Sequence, residues 1–195
     1  MNKVITIEKG DARYEDMVNL VGQASTDNLI IVAKNHDNRK AMIKPITVRN
    51  GIYFYVASVV NNALIYRTNY TDKEVEIAKA NTVKNAVIGD MAAALLGGMT
   101  SLSDWTPTLM NILTTNGGVN GAGILLCSDY LTKIFDKIGD YYILPSSVHE
   151  VIIAPKANCT ADISELSNMV KTINADIVDD TDVLSDEAFE YIDWI

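Results

Sequence analysis

The strongest local constraint on this chain is the dipeptide Asn50-Gly51, set between the runs Ala41 to Arg49 and Ile52 to Val56. A two-residue β-hairpin loop needs positive φ at both central positions, and Asn-Gly accepts this at little steric cost. The segment therefore predicts two antiparallel strands. Leu29-Ile30-Ile31-Val32 reads as a short buried strand before them, closed by the polar turn Asn35-His36-Asp37-Asn38. Asn61-Asn62 turns the chain once more, into a strand near Leu64-Ile65-Tyr66. Ahead of this meander, Asp11 reads as an N-cap. Tyr14, Met17, Leu20, Val21 and Ala24 then recur at helical spacing.

Thr71-Asp72-Lys73-Glu74 has the form of a capping box. A helix or helix pair is expected beyond it, through Val75, Ile77, Val83, Val87 and Met91 toward Leu96. The Gly-, Ser- and Thr-rich segment 97–107 then reads as a hinge between two lobes, 1–98 and 99–195. After the hinge, Leu109 to Thr115 is a predicted strand. Ser128-Asp129 caps a helix with Leu131, Ile134, Phe135 and Ile138 on its apolar face, stopped by Gly139. Tyr141 to Leu144 and Val151 to Ile153 are two further strands, and Thr160 is the expected cap of a last helix bearing Ile163, Leu166, Met169, Val170 and Ile173. The class expected is α+β, with antiparallel strand hairpins and packed helices.

Charge narrows the function. Sixteen basic against twenty-five acidic residues leave a net charge of −9. That argues against direct nucleic-acid binding, which needs clustered Lys and Arg to displace counterions. The N-terminal residues lack a signal-peptide core, and the most apolar stretch, Ala86 to Leu96, carries Asp90 and is too short to span a bilayer. The chain reads as cytoplasmic, with no membrane partner. Cys127 and Cys159 belong to no Cys-x-x-Cys pair. His36 and His149 have no partner at metal-ligand spacing, so neither a metal nor a cofactor is expected.

Three segments carry candidate chemistry. Pro145-Ser146-Ser147-Val148-His149-Glu150 places two hydroxyls, an imidazole and a carboxylate on a turn between strands. As a catalytic set, His149 would be a base oriented by Glu150, with Ser146 or Ser147 as nucleophile. Adjacent strand residues point to opposite faces, which opposes that pairing. The competing reading is a turn whose serine hydroxyls satisfy backbone amides while His149 holds a neighbouring loop. Gly117 to Gly123 lacks the register and the following lysine of a phosphate loop, and reads instead as a hairpin turn with glycines at positive φ. Finally, no basic residue follows Lys171, while Asp176, Asp179, Asp180, Asp182, Asp186, Glu187, Glu190 and Asp193 do, threaded with Ile177, Val178, Leu184, Phe189, Tyr191 and Trp194. Solvating tails are poor in aromatics. The segment is therefore either a last strand with a wet acidic face or an acidic-aromatic surface that docks a basic protein.

Met110-Asn111-Ile112-Leu113-Thr114-Thr115-Asn116, Gly121-Ala122-Gly123-Ile124-Leu125, the run Tyr142 to Ile152, Asn174 and Val183-Leu184-Ser185-Asp186 follow one another in an order that resembles the domain of unknown function 5688 family, common in gut Clostridia and their mobile elements. The resemblance covers a little under half the chain, and Glu187-Ala188-Phe189 departs from it. It implies a mixed α+β fold, a setting near phage or plasmid genes, and no mechanism. The function expected on these grounds is a non-enzymatic, acidic protein-interaction module. A mobile-element inhibitor of a basic nucleic-acid-handling protein, such as a CRISPR nuclease, fits that description. The alternatives are a small hydrolase or transferase using Ser146, Ser147, His149 and Glu150, and a structural subunit that oligomerises through strand edges.

Overall fold

In the computed structural model, the described residues are Asp16, 25–61, 63–94 and 96–195. Of the helix expected from Asp11 to Ala24, only Asp16, which is helical, is among them. The fold is α+β, with two antiparallel sheets. The first comprises β1 (Leu29–Lys34), β2 (Thr47–Arg49), β3 (Ile52–Val60) and β4 (Ala63–Tyr66). Helix α1 (Asp72–Lys84) leads to the second sheet, whose strands lie in the order β5 (Ala86–Asp90), β6 (Asn111–Thr115), β8 (Val151–Pro155), β7 (Tyr141–Leu144) and β9 (Phe189–Glu190). Helices α2 (Met91–Ala94), α3 (Ser128–Ile138) and α4 (Ile163–Asp176) complete the described helices. Among the described residues, no helix is long and apolar enough to cross a membrane.

The hairpin forms as its turn chemistry dictates. Asn50 and Gly51 have φ of 49° and 75°, and Arg49 pairs with Ile52. Its first strand is shorter than expected, because 41–46 is irregular. Pro45 offers no N–H to a ladder. β3 is the centre of the sheet, with β1 along one side and β2 then β4 along the other. The outer edge of β1 is capped by side chains of α1: the Ile31 N–H donates to Thr82 Oγ1 at 2.9 Å, and Asn81 Nδ2 donates to the Leu29 carbonyl at 2.9 Å. Such capping removes an edge that would otherwise template pairing with another chain.

The Thr71–Glu74 capping box closes as expected, with the Thr71 N–H donating to Glu74 Oε2 at 2.8 Å. The helix ends at Lys84, however, and Val87 belongs to β5, paired with Thr114 of β6. β-branched Val87 and Ile88 suit a strand, and β6 supplies the partner. The segment 97–107 connects β5 and α2 to β6, and Thr100 and Ile88 exchange two backbone hydrogen bonds of 2.9 and 3.0 Å. Within the segment Trp105 is buried, its indole N–H donating at 3.0 Å to Asn111 Oδ1. The Asn111 amide also takes up the Thr108 N–H and donates to the Thr108 and Ile153 carbonyls, so it anchors the start of β6.

Helix caps differ by one or two residues from the sequence reading. Asp162, not Thr160, caps α4, because Glu165 three residues on returns the reciprocal bond. Helix α3 takes Cys127 as its N-cap position, and Gly139 ends it at φ 70°. The main core joins Ile31, Phe54, Ile88, Leu113, Leu125, Ile134 and Ile153, drawing on both sheets. A smaller cluster packs Leu166 and Val170 of α4 on Leu144 and Ile152. The C-terminal residues belong to the main core: Trp194 is fully buried, and Asn50 Nδ2 and Arg49 Nη1 donate to the Asp193 and Trp194 carbonyls.

Candidate functional site

The connection from β7 to β8 is residues 145–150, and it is buried more deeply than a surface turn. Ser146 and Ser147 are both buried. The reason is a second strand-like pairing. The Val148 N–H donates to the Asp182 carbonyl and the Leu184 N–H to the Ser146 carbonyl, each at 2.8 Å, with Ser147 opposite Val183. The turn and the acidic segment, apart in sequence, thus form one structure.

His149 sits at its centre. Its Nδ1 accepts the Asn120 N–H at 3.2 Å, which places the proton of the neutral ring on Nε2, 3.2 Å from Asp182 Oδ2. Its carbonyl accepts from the Gly121 N–H at 2.9 Å and from Thr114 Oγ1 at 2.7 Å. Ser147 Oγ accepts the His149 N–H at 3.0 Å. Both ring nitrogens therefore hold loops together, the Ser147 hydroxyl closes the turn itself, and among the described residues the ring bonds to neither serine. Glu150 is half-buried. Burial raises its pKa above the usual carboxylate range, with the charge of His149 opposing.

A carboxyl whose pKa is raised on folding binds its proton more tightly in the native state. Its folded state is then penalised increasingly as pH rises through the raised value. Glu150→Gln is accordingly expected to increase stability at pH 7 and to match wild type at a pH below the ordinary glutamate value. Urea midpoints at the two pH values check this; a variant less stable at pH 7 would mean that the Glu150 carboxylate is held by favourable partners.

The glycine segment meets the same site, but not as a hairpin turn. Of its four glycines only Gly118 has positive φ (66°), alongside Asn120 (56°), and the chain then enters a buried 3-10 turn over Gly121–Leu126. Gly121 and Gly123 are required by close approach: a Cβ at Gly121 would lie 2.5 Å from the His149 carbonyl oxygen, and one at Gly123 would lie 2.0 Å from that of Ile31. A run of glycines marks both needs alike, so the sequence could not separate them. The buried Cys127 follows this turn, and burial pushes its thiol up to about 12, so it is a core residue and a poor nucleophile.

The eight acidic candidates divide. Asp182 holds His149. Asp179 Oδ1 accepts the Thr181 N–H and hydroxyl at 2.9 and 2.7 Å, and these bonds lower its pKa. Asp186 accepts from Asn174 at 2.8 Å, Glu190 pairs with Lys156 at 3.0 Å, and Asp193 accepts the Glu190 N–H at 2.9 Å. Asp176, Asp180 and Glu187 are exposed, and among the described residues their carboxylates have no hydrogen-bond or ion-pair partner. Ile177 beside Asp176 is 79% exposed. Among the described residues no group of three His, Cys, Asp or Glu is placed to hold a metal ion.

Sequence reasoning missed the residues that complete this seam. Asn35 Nδ2 donates to the Val183 carbonyl at 2.7 Å, and Asn38 Nδ2 to the Thr181 carbonyl at 2.8 Å, so the turn after β1 clasps the 181–183 loop. Just before that turn comes Lys34, buried and within electrostatic reach of Asp182. The available signal was slight: one lysine ending an apolar strand.

No curated protein and no solved structure matches the chain. A family model does, described as a family of unknown function, DUF5688, and the match runs over residues 29–192. It therefore takes in the first sheet as well as the His149 seam, well beyond the C-terminal signatures. With most of its length matched from β1 to the C-terminal 3-10 turn, the chain belongs to the DUF5688 family.

Proposed function

We propose that this protein is a non-enzymatic binding module that engages a basic partner protein through the exposed carboxylates of its C-terminal segment. The observation that carries the reading is the division among those acids. Asp179, Asp182, Asp186, Glu190 and Asp193 are engaged in holding the fold, whereas Asp176, Asp180 and Glu187 stand exposed. Exposed carboxylates that the fold does not use suit a partner with a Lys- and Arg-rich surface, and charge complementarity speeds and orients such an encounter. The engagement of both His149 ring nitrogens favours this reading over hydrolysis or group transfer, which would need one of them free to take a proton. In its fuller form the partner is a nucleic-acid-handling protein, and the carboxylates occupy positions that phosphates otherwise take.

The test is fluorescence anisotropy with a short Lys/Arg-rich peptide. It compares wild type with the triple variant Asp176→Asn, Asp180→Asn, Glu187→Gln and with a charge-matched control neutralising Asp129, Asp136 and Asp140. The first triple is expected to weaken binding about fivefold or more, and the control much less, with the difference shrinking at high salt. An oligonucleotide that competes for the peptide should release the protein. Equal losses in both triples, or a salt-independent affinity, would overturn the reading.

A further inference from the structure

The face of the first sheet turned away from the main core carries a charge that no described residue neutralises. Lys34 pairs with Tyr53 across the β1–β3 ladder, and Ala57 pairs with Tyr66 across the β3–β4 ladder. Since side chains alternate along a strand, Lys34, Tyr53, Tyr55 and Tyr66 all project from one face. Lys34 is 2% exposed. Among the described residues its ammonium has no hydrogen-bond acceptor and no carboxylate within ion-pair distance, and Asp182, whose charge reaches it, is already bound to His149.

A second cation lies close by. Lys40 is half-buried, its charge acts on Lys34, and its Nζ stands 5.3 Å from the centroid of the Tyr66 ring. The Lys40 N–H donates to Tyr55 Oη at 3.2 Å, and the rings of Tyr55 and Tyr66 meet edge to face at 5.8 Å. The Tyr66 hydroxyl is buried and, among the described residues, has no hydrogen-bond partner. Burial lowers the pKa of both lysines and raises that of Tyr66. At the rim, Arg39 donates to Tyr53 Oη at 3.2 Å. Buried ammonium and hydroxyl groups are costly to leave unpaired, and folded proteins seldom do so without a reason. Here the unmatched groups are all donors or cations, gathered on one face, with half-buried Lys40 giving access from solvent.

We propose that Lys34, Lys40 and Tyr66 form a binding site for a small oxyanion, a phosphate or carboxylate group, which accepts from the two ammoniums and the tyrosine hydroxyl. The site lies on a different set of residues from the acidic face and stands independently of it. An oxyanion supplies acceptors that all three groups lack among the described residues, and its negative charge opposes the effect of burial on both amines.

Thermal unfolding of the full chain tests this at fixed ionic strength, in chloride, with low-millimolar inorganic phosphate, malonate or acetate as probes. At these concentrations general salting effects are small. Phosphate or a carboxylate is expected to raise the midpoint of wild type saturably, by about 3 °C or more, and the probe that does so identifies the group bound. Lys34→Met is expected to keep or raise the midpoint in chloride, because it removes an unpaired buried charge, and to lose the oxyanion response. Tyr66→Phe and Lys40→Met, which leave the β1 core intact, should each reduce that response. The proposal is overturned if no oxyanion exceeds chloride for wild type, or if the response survives in Lys34→Met; should that variant fail to fold, survival in both of the other two overturns it equally.

Discussion

Gly123→Ala is expected to destabilise the protein by about 4 kcal/mol, or to prevent folding, although it adds a single methyl group. The added Cβ would lie 2.0 Å from the Ile31 carbonyl oxygen and 2.7 Å from its carbonyl carbon. Both are backbone atoms of β1, a strand whose N–H at Ile31 is held by Thr82 and whose ladder is set by β3. Neither can rotate away as a side chain tip would. To admit the methyl, the 3-10 turn must separate from β1, opening the core between Ile31 and the neighbouring Ile124 and Leu125. Overpacking a core costs about 1–3 kcal/mol and occasionally more, and a contact with fixed backbone belongs at or above the top of that range. Gly117→Ala is the control: it has ordinary φ, and the nearest atom that its Cβ would meet is Val119 Cγ2 at 3.8 Å. Its effect should stay within about 0.5 kcal/mol. Urea unfolding of the three proteins checks the difference, and a wild-type midpoint for Gly123→Ala would mean that the turn and β1 do not meet this closely in the folded protein.

What could be read from the sequence was what a few neighbouring residues decide. Asn50-Gly51 requires its turn and Thr71-Glu74 its cap whatever the rest of the chain does, and both form. The alternation and helical spacing that yield an α+β class are similarly local. Errors arose where a distant partner decides. Val87 continues an apolar pattern begun in α1, and only the presence of β6 makes it a strand residue. Gly121 and Gly123 look like turn glycines until the His149 and Ile31 carbonyls are placed against them. The candidate site divides in the same way. The 145–150 turn could be picked out from its residue types, but Asp182, Asn120 and Thr114, which engage His149, are brought there only by folding. Lys34 was hidden for the same reason, since a lysine ending an apolar strand does not reveal that folding buries it.

The acidic C-terminal segment is where fold and function can be separated by experiment, and Trp194→Ala is the variant that does it. Trp194 is fully buried, its ring edge-on to Phe54 at 6.4 Å and to Phe189 at 5.6 Å. Removing a buried indole costs about 3–5 kcal/mol through lost burial and the cavity left behind, so unfolding at a much lower urea concentration is expected. Among the described residues the buried indole N–H has no acceptor, so it makes no hydrogen bond there that a benzyl group would lose. Trp194→Phe should therefore lose far less than Trp194→Ala, limited to the smaller volume. Neutralising Asp176, Asp180 and Glu187 touches none of these contacts and should leave stability within about 0.5 kcal/mol of wild type. If Trp194→Ala is as stable as wild type, the segment is not anchored as described, and its acids cannot be held in a defined surface. If the triple neutralisation unfolds the protein, those three carboxylates serve the fold as the other five do. The pattern expected, loss at Trp194 and indifference at the three acids, assigns the aromatic residues of the segment to the core and leaves those three carboxylates available for recognition.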